Sequence, residues 1–314
     1  MTGTRLVAVG HFQPERVVPN SELETMVETS DEWIQRRVGI KERRWAAPEE
    51  TVDVMAEKAA LDTLAKGGMT ADQVDLVIVA TCSALDRSPN MAARVAHRLG
   101  ISGAPATIDV NTACSGFPHA VALAQHAIAA GAATTALVIG AEKLTDVTDF
   151  ADRTTCVLTA DGAGAFLLTA DAEEHISPVL WGCVPELGDA VRIEEVDGGK
   201  FAQNGRAVYR WTTFELPRIA REVIDRAQLA PEDLAAIVLH QANLRIIEPL
   251  AAKIGAVNAV VATDVIESGN TSAASIPLAL SKLQEKTPLP SGAPVLLFAF
   301  GGGLAYAGQV VRMP

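Results

Sequence analysis

Two kinds of apolar pattern alternate along the chain. Residues 6–10, 76–81, 105–110, 136–140, 235–240 and 295–300 are short, nearly continuous apolar runs. Such runs predict strands buried on both faces, the habit of parallel sheets. Between them, residues 21–37, 50–66, 90–99, 209–228, 244–254 and 272–285 carry apolar positions at helical spacing. Ser21 with Glu24 reads as a capping box for the first helix, and Gly67-Gly68 closes the second. Residues 14–19 read as an irregular loop, and Asp161-Gly162-Ala163-Gly164 as a turn leading into residues 165–168. Strand and helix in alternation predict an α/β core. Residues 110–141 hold no charged residue, which raises the question of a membrane span. Asn111, Thr112, Ser115, His119, Gln125 and His126 interrupt that stretch and Gly131 breaks it, so it reads as a buried helix followed by a strand.

The second half repeats the first. Asn111-Thr112 recurs as Asn270-Thr271, Pro118 as Pro277, residues 77–79 as 236–238, and residues 137–139 as 296–298, each 159 positions on. One shared offset over separate elements predicts a duplicated half, so two βα units should pack with pseudo-twofold symmetry. That offset places Thr81 on His240 and pairs the corner at Cys114 with the corner at Asn270. Ligand sites of α/β sheets lie at the carboxyl ends of strands. Cys114, His240 and Asn270 are therefore expected to be neighbours.

Length and charge narrow the picture. At 314 residues, 49% hydrophobic, the chain is long for one ordinary core, which suits two fused halves. The net charge of −12 argues against a nucleic-acid or anionic-membrane surface. Cys82, Cys114, Cys156 and Cys183 form no CxxC pair and no Cys/His cluster at metal spacing, the usage of a cytosolic thiol protein without structural zinc. Residues 1–5 show no export signal.

Asn111-Thr112-Ala113-Cys114-Ser115-Gly116 sits between a strand and an alanine-rich helix. Helix N–H groups and dipole at that place favour a thiolate, although a free cysteine is also read as a small buried apolar side chain.

Thr112-Ala113-Cys114-Ser115-Gly116-Phe117, His240-Gln241-Ala242-Asn243, Gly269-Asn270-Thr271-Ser272 and Phe300-Gly301-Gly302-Gly303, with Ser30-Asp31-Glu32-Trp33-Ile34 and Asp161-Gly162-Ala163-Gly164, resemble the β-ketoacyl-acyl carrier protein synthase III family from end to end. The resemblance implies a thiolase-like α/β fold: two pseudo-symmetric halves, residues 1–170 and 171–314, in a five-layer αβαβα sandwich, usually a cytoplasmic homodimer. It implies that an acyl-CoA starter acylates Cys114 and that malonyl-acyl carrier protein then condenses with loss of carbon dioxide, without a cofactor or metal. His240 and Asn270 would hold the enolate, and the N–H groups of Cys114 and Gly302 would form the oxyanion hole. Thr29, Trp33, Arg37, Arg153, Asn204 and Gly205 align with CoA contacts, and Arg210, Arg245 and Lys253 with the basic patch that receives the acidic carrier protein. Ser88 and Phe300 align with the acyl pocket. Ser88 stands in a loop, residues 85–89, where some members place a bulky aromatic, so a roomier pocket for branched or longer starters is expected.

Neighbouring families fit less well. A biosynthetic thiolase needs a second cysteine near the C-terminus, and none follows Cys183; elongating synthases use two histidines where this chain has Asn270. A chain-length-factor subunit would lack Cys114, and residues 301–303 lack the Lys-Ser/Thr of a phosphate loop. Thr159-Ala160-Asp161 and Ser115 depart from the family's usual Phe-Gly-Asp and alanine. The alternative reading is an acyltransferase or condensing enzyme of secondary metabolism that uses the same site on another acceptor. A non-catalytic scaffold subunit would require an inert Cys114.

Overall fold

The computed structural model describes residues 2–86 and 88–314. Two five-stranded sheets share one plan. The first runs Gly3–Phe12, Asp161–Asp171, Thr135–Lys143, Leu76–Ala80, Ala106–Val110 across its width. The second runs Leu180–Cys183, Ala305–Arg312, Pro294–Gly301, Ala236–Leu239, Val260–Val261. In each, the last three strands are parallel and the first two antiparallel to their neighbours.

Helices Gly116–Ala129 and Ser275–Lys286 form the middle layer. Their small side chains, among them Ala120, Ala124 and Ala279, let both sheets approach, and one apolar cluster joins Ile78 and Val138 to Val238 and Leu297 through them. Phe117 packs edge-on against Phe166 there, centroids 4.7 Å apart. Helices Val52–Gly67 and Met91–Arg98 cover the outer face of the first sheet, and Leu216–Arg226 and Leu244–Ile254 that of the second. The result is the five-layer sandwich of the thiolase-like fold. Leu76–Ala80 is buried at every position, as its unbroken apolar run predicts.

Five expectations change. Within the loop expected over 14–19, Val17–Pro19 pairs as a strand with Glu42–Arg44. The helix expected over 21–37 is a short turn, Asn20–Leu23, and a separate helix, Asp31–Val38. Ser30 caps the second by accepting from the Trp33 N–H at 3.1 Å, while Glu24 accepts from the Asp31 N–H instead of closing a box with Ser21. The helix expected over 209–228 breaks into Gly205–Phe214 and Leu216–Arg226, where Pro217 has no N–H to give. The fourth change concerns residues 161–164, which are strand rather than turn. A Cβ on Gly164 would meet the Leu278 backbone nitrogen at 2.5 Å, so the glycine is there to let the middle helix lie against the strand. Finally, the offset is not uniform. Leu76 pairs with Ala136, whereas Ala236 pairs with Val295, so the 76–80 strand maps onto the second half 160 positions on. His240 is thus the counterpart of Ala80 and not of Thr81.

Candidate active site

Strand Ala106–Val110 ends at a corner that the chain can make only with unusual backbone. Asn111 Oδ1 accepts from the Ala113 N–H at 3.3 Å, and Ala113 takes φ 47°. A single 3-10 turn, Ala113–Ser115, carries Cys114 just ahead of helix Gly116–Ala129. The Ser272 hydroxyl and the backbone N–H groups of Cys114 and Gly302 face the Cys114 sulfur and pull its pKa down. Gly301 passes so close that a Cβ there would meet Cys114 Cβ at 2.6 Å and Sγ at 2.9 Å.

The expected thiolate is not what this environment favours in the free protein. Burial pushes the Cys114 thiol up to about 11, and the Glu142 carboxylate adds to the rise. The three donors oppose the shift without cancelling it.

His240 ends strand Ala236–Leu239 and is 2% exposed. Burial lowers its pKa to about 3, so the ring is neutral. Its Nδ1 lies 2.8 Å from Ser275 Oγ, and that oxygen accepts from the Gln241 N–H at 3.3 Å. The Ser275 oxygen has a second lone pair, so the direction of this bond follows the tautomer: with the Ser275 hydroxyl donating to Nδ1, the ring proton lies on Nε2. Asn270 is fixed similarly. Its Oδ1 accepts from the Ser272 N–H at 2.8 Å, its backbone bonds Leu158 and Ala160, and its amide NH2 is left as a donor. Phe300 stands edge-on to His240, centroids 5.6 Å apart.

Cys114, His240, Asn270 and Phe300 line one cleft of about 570 Å³. Trp33, Arg37, Arg153, Gly205 and Arg245 line it as well. Among the contributors that sequence reasoning missed are Arg206 and Tyr209 on its wall, and Ser275 behind His240. Arg206 and Tyr209 lie one and four residues past Gly205 on one helix, a spacing that could have flagged them. Among the described residues Arg37, Arg153, Arg206 and Arg245 have no ion-pair partner, which concentrates positive charge at the cleft of an acidic chain. The Arg153 guanidinium lies 4.5 Å from the Trp33 ring centre. A third ring between them needs about 7 Å, twice a van der Waals contact, so Arg153 must swing out to admit one.

Other expected residues lie elsewhere. Asn204 caps helix Gly205–Phe214, accepting from the Ala207 N–H at 3.2 Å, and does not line the cleft. Thr29 is half-buried outside the lining. Arg210 borders an outer groove with the exposed Phe214. Lys253 donates to the Thr213 carbonyl at 2.9 Å. Ser88 is exposed and away from its own chain's cleft; Arg87 of the same loop lies outside the described residues.

Fold and cleft define a condensing acyltransferase of the thiolase-like class. Residues 108–184 match the family described as 3-oxoacyl-(acyl-carrier-protein) synthase III, and residues 224–313 match its C-terminal part. The chain is 62% identical to β-ketoacyl-(acyl-carrier-protein) synthase III 2 of Streptomyces avermitilis, over 100% of both chains. It is similarly 62% identical to synthase III 4 of Streptomyces coelicolor, over 99% of both. Among solved structures it superposes on the priming β-ketosynthase of the R1128 polyketide pathway with a TM-score of 0.95, at 36% identity over 99% of this chain and 96% of that one. The synthase III of Aquifex aeolicus gives 0.93, at 37% identity over 99% and 100%. The chain belongs to the 3-oxoacyl-(acyl-carrier-protein) synthase III family. Among the described residues no helix is long and apolar enough to cross a membrane.

Proposed function

We propose that the protein condenses an acyl-CoA starter with malonyl-acyl carrier protein, releasing carbon dioxide and a 3-oxoacyl-acyl carrier protein. One observation carries this reading: Cys114 from one half and His240 and Asn270 from the other line a single cleft together with Arg37, Arg153, Arg206 and Arg245. In the first stage Cys114 Sγ attacks the thioester carbonyl, CoA leaves as the thiol with the proton Cys114 gave up, and the N–H groups of Cys114 and Gly302 receive the oxyanion. In the second, the malonyl carboxylate departs as carbon dioxide and its bonding electrons form an enolate, held by His240 Nε2–H and the Asn270 amide. The enolate carbon attacks the acyl group on Cys114, whose sulfur leaves. A neutral histidine serves this stage because it can donate without having a proton to lose at working pH.

Trp33, Arg37 and Arg153, with the backbone at Gly205, would hold CoA. Arg210, Arg245 and Lys253 would receive the acidic carrier protein, complementing its charge. The chain is read as two fused halves, residues 1–170 and 171–314, on the strength of the shared strand order. A homodimer would use edge strand Ala106–Val110, where Ile108 is 43% exposed and the outer hydrogen-bonding edge is unpaired in this chain. Its partner would then bring the 85–89 loop and Ser88 to the acyl pocket, leaving room for branched or longer starters. Four free thiols fit a reducing, cytosolic compartment.

Carboxyl-labelled malonyl-acyl carrier protein, offered with a panel of acyl-CoA starters, tests the reading. Labelled carbon dioxide with a 3-oxoacyl product is expected; acyl transfer without it establishes instead the secondary-metabolic acyltransferase, a role consistent with the polyketide-pathway relative. Strict preference for acetyl-CoA would remove the roomy pocket.

A further inference from the structure

A buried acid that the proposed mechanism does not use lies beside the cleft. Glu142 is 0% exposed at the end of strand Thr135–Lys143. Its Oε2 accepts from the hydroxyls of Thr81 and Ser83 at 3.1 and 2.6 Å and from the N–H groups of Cys82 and Ser83 at 3.1 Å each. Its Oε1 accepts from the Ala273 N–H at 3.3 Å and from the Cys82 thiol at 3.3 Å. So dense a set of donors offsets the cost of burying a charge only while all of it stays in place. The contacts join two separate segments: the loop after strand Leu76–Ala80, and the corner that carries Asn270 and Ser272.

Symmetry shows what the carboxylate replaces. At the 159 offset Ala273 is the counterpart of Cys114, and Glu142 of Gly301. At the first corner Gly301 leaves space at the sulfur, and the Cys114 N–H faces that sulfur rather than a carboxylate. In the second half, the equivalent N–H, that of Ala273, is already filled by the Glu142 carboxylate. We infer that Glu142 is a positioning residue for the second stage: its carboxylate clamps the Asn270–Ala273 corner, and so fixes the Asn270 amide at the enolate. Cys114's own corner has further supports in Asn111 and the close passage of Gly301, and meets the clamped corner where Ser272 faces the sulfur. The two stages should therefore respond differently to loss of the clamp.

The inference rests on the condensation reading above, and the test separates the two. Full-length wild type, Glu142→Gln and Glu142→Asp are compared in three measurements: acylation of Cys114 by acyl-CoA followed by intact mass, carbon dioxide release from malonyl-acyl carrier protein, and amide hydrogen exchange without substrate. Glutamine keeps one acceptor but turns an NH2 toward the Cys82 and Ser83 N–H groups. It should lower second-stage kcat about 10- to 100-fold, while acylation of Cys114, relieved of the Glu142 charge, is no slower than in wild type. Exchange at residues 81–83 and 270–274 should rise about tenfold, with the middle helices unchanged. Aspartate keeps the charge and should lose only about 3- to 10-fold, again in the second stage alone. If glutamine does not yield folded protein, the aspartate variant carries the same stage comparison. Equal loss in both stages, unchanged exchange at 270–274, or aspartate as impaired as glutamine would overturn the clamp. Wild type that releases no carbon dioxide would sink the condensation reading, while the exchange arm still decides whether Glu142 holds the corner.

Discussion

The corners at Asn111–Gly116 and Asn270–Ser275 have one backbone and two chemistries. In each, an asparagine Oδ1 accepts from the N–H two residues on, and the residue that bears that N–H adopts φ 47°, Ala113 in one and Ser272 in the other. A 3-10 turn and a buried helix follow in both. The differences are in side chains. Where one corner has Cys114 against Gly301, the other has Ala273 against Glu142; where one half pairs Gly116 with Ala80, the other pairs Ser275 with His240. A Cβ on Gly116 would sit 3.2 Å from the Ala80 Cβ, the same proximity that the Ser275 hydroxyl and His240 ring fill with a hydrogen bond. A duplicated scaffold thus supplies a nucleophile on one side and donors on the other by changing four pairs of residues.

If the division of labour is right, each corner should fail in its own stage. Cys114→Ala should abolish acyl adducts in intact mass and lower condensation by about 10⁴-fold or more, as removal of a covalent nucleophile does. Residual acylation at another cysteine, Cys82 for example, would break the comparison. The protonation state of the thiol gives the next largest effect. With its pKa pushed up to about 11, the thiolate fraction climbs about tenfold per pH unit below that value, so alkylation of Cys114 by iodoacetamide should rise about 10³-fold from pH 7 to pH 10. A plateau below pH 8 would mean that the helix N-terminus and the three donors outweigh burial after all. Removing the amide on the opposite corner comes third. Asn270→Ala should lower carbon dioxide release about 10²- to 10³-fold and leave acylation of Cys114 within about threefold, and equal effects on both stages would place Asn270 in the first.

Much of this was legible in the chain, for identifiable reasons. Buried strands such as Leu76–Ala80 announce themselves because both faces must be apolar, and the corner motifs survive duplication because asparagine and a tight turn are needed twice. Three things were hidden. The slip of one residue between the strand pairs leaves no mark in an offset count, so His240 was set against Thr81 when the register sets it against Ala80. Glycines at 162 and 164 read as turn formers, whereas helix packing against a strand requires at least the second of them. The sequence around Cys114 shows only the helix that follows it; burial and the Glu142 charge come from residues distant in sequence and reverse the direction of the thiol's shift.

The smallest effect tests the finest difference between the halves, the tautomer of His240. When Ser275 Oγ, which accepts from the Gln241 N–H, gives its own proton to His240 Nδ1, the ring presents Nε2–H to the cleft. Ser275→Ala removes that instruction and leaves Nδ1 buried without a partner. The ring then divides between tautomers, and the fraction with a bare Nε2 cannot donate to an enolate. Condensation should fall about 3- to 10-fold, the cost of losing one neutral hydrogen bond of about 1 kcal/mol. Acylation of Cys114 should be unchanged. Because the group lost is neutral and His240 stays unprotonated down to about pH 3, the loss should be the same at pH 6 and pH 8. Glycine is the pseudo-equivalent residue at 116, so Ser275→Gly should match alanine in the second stage. A first-stage defect in either variant, or a loss confined to low pH, would show that Ser275 acts on the Cys114 corner or on a charged ring rather than on the neutral tautomer.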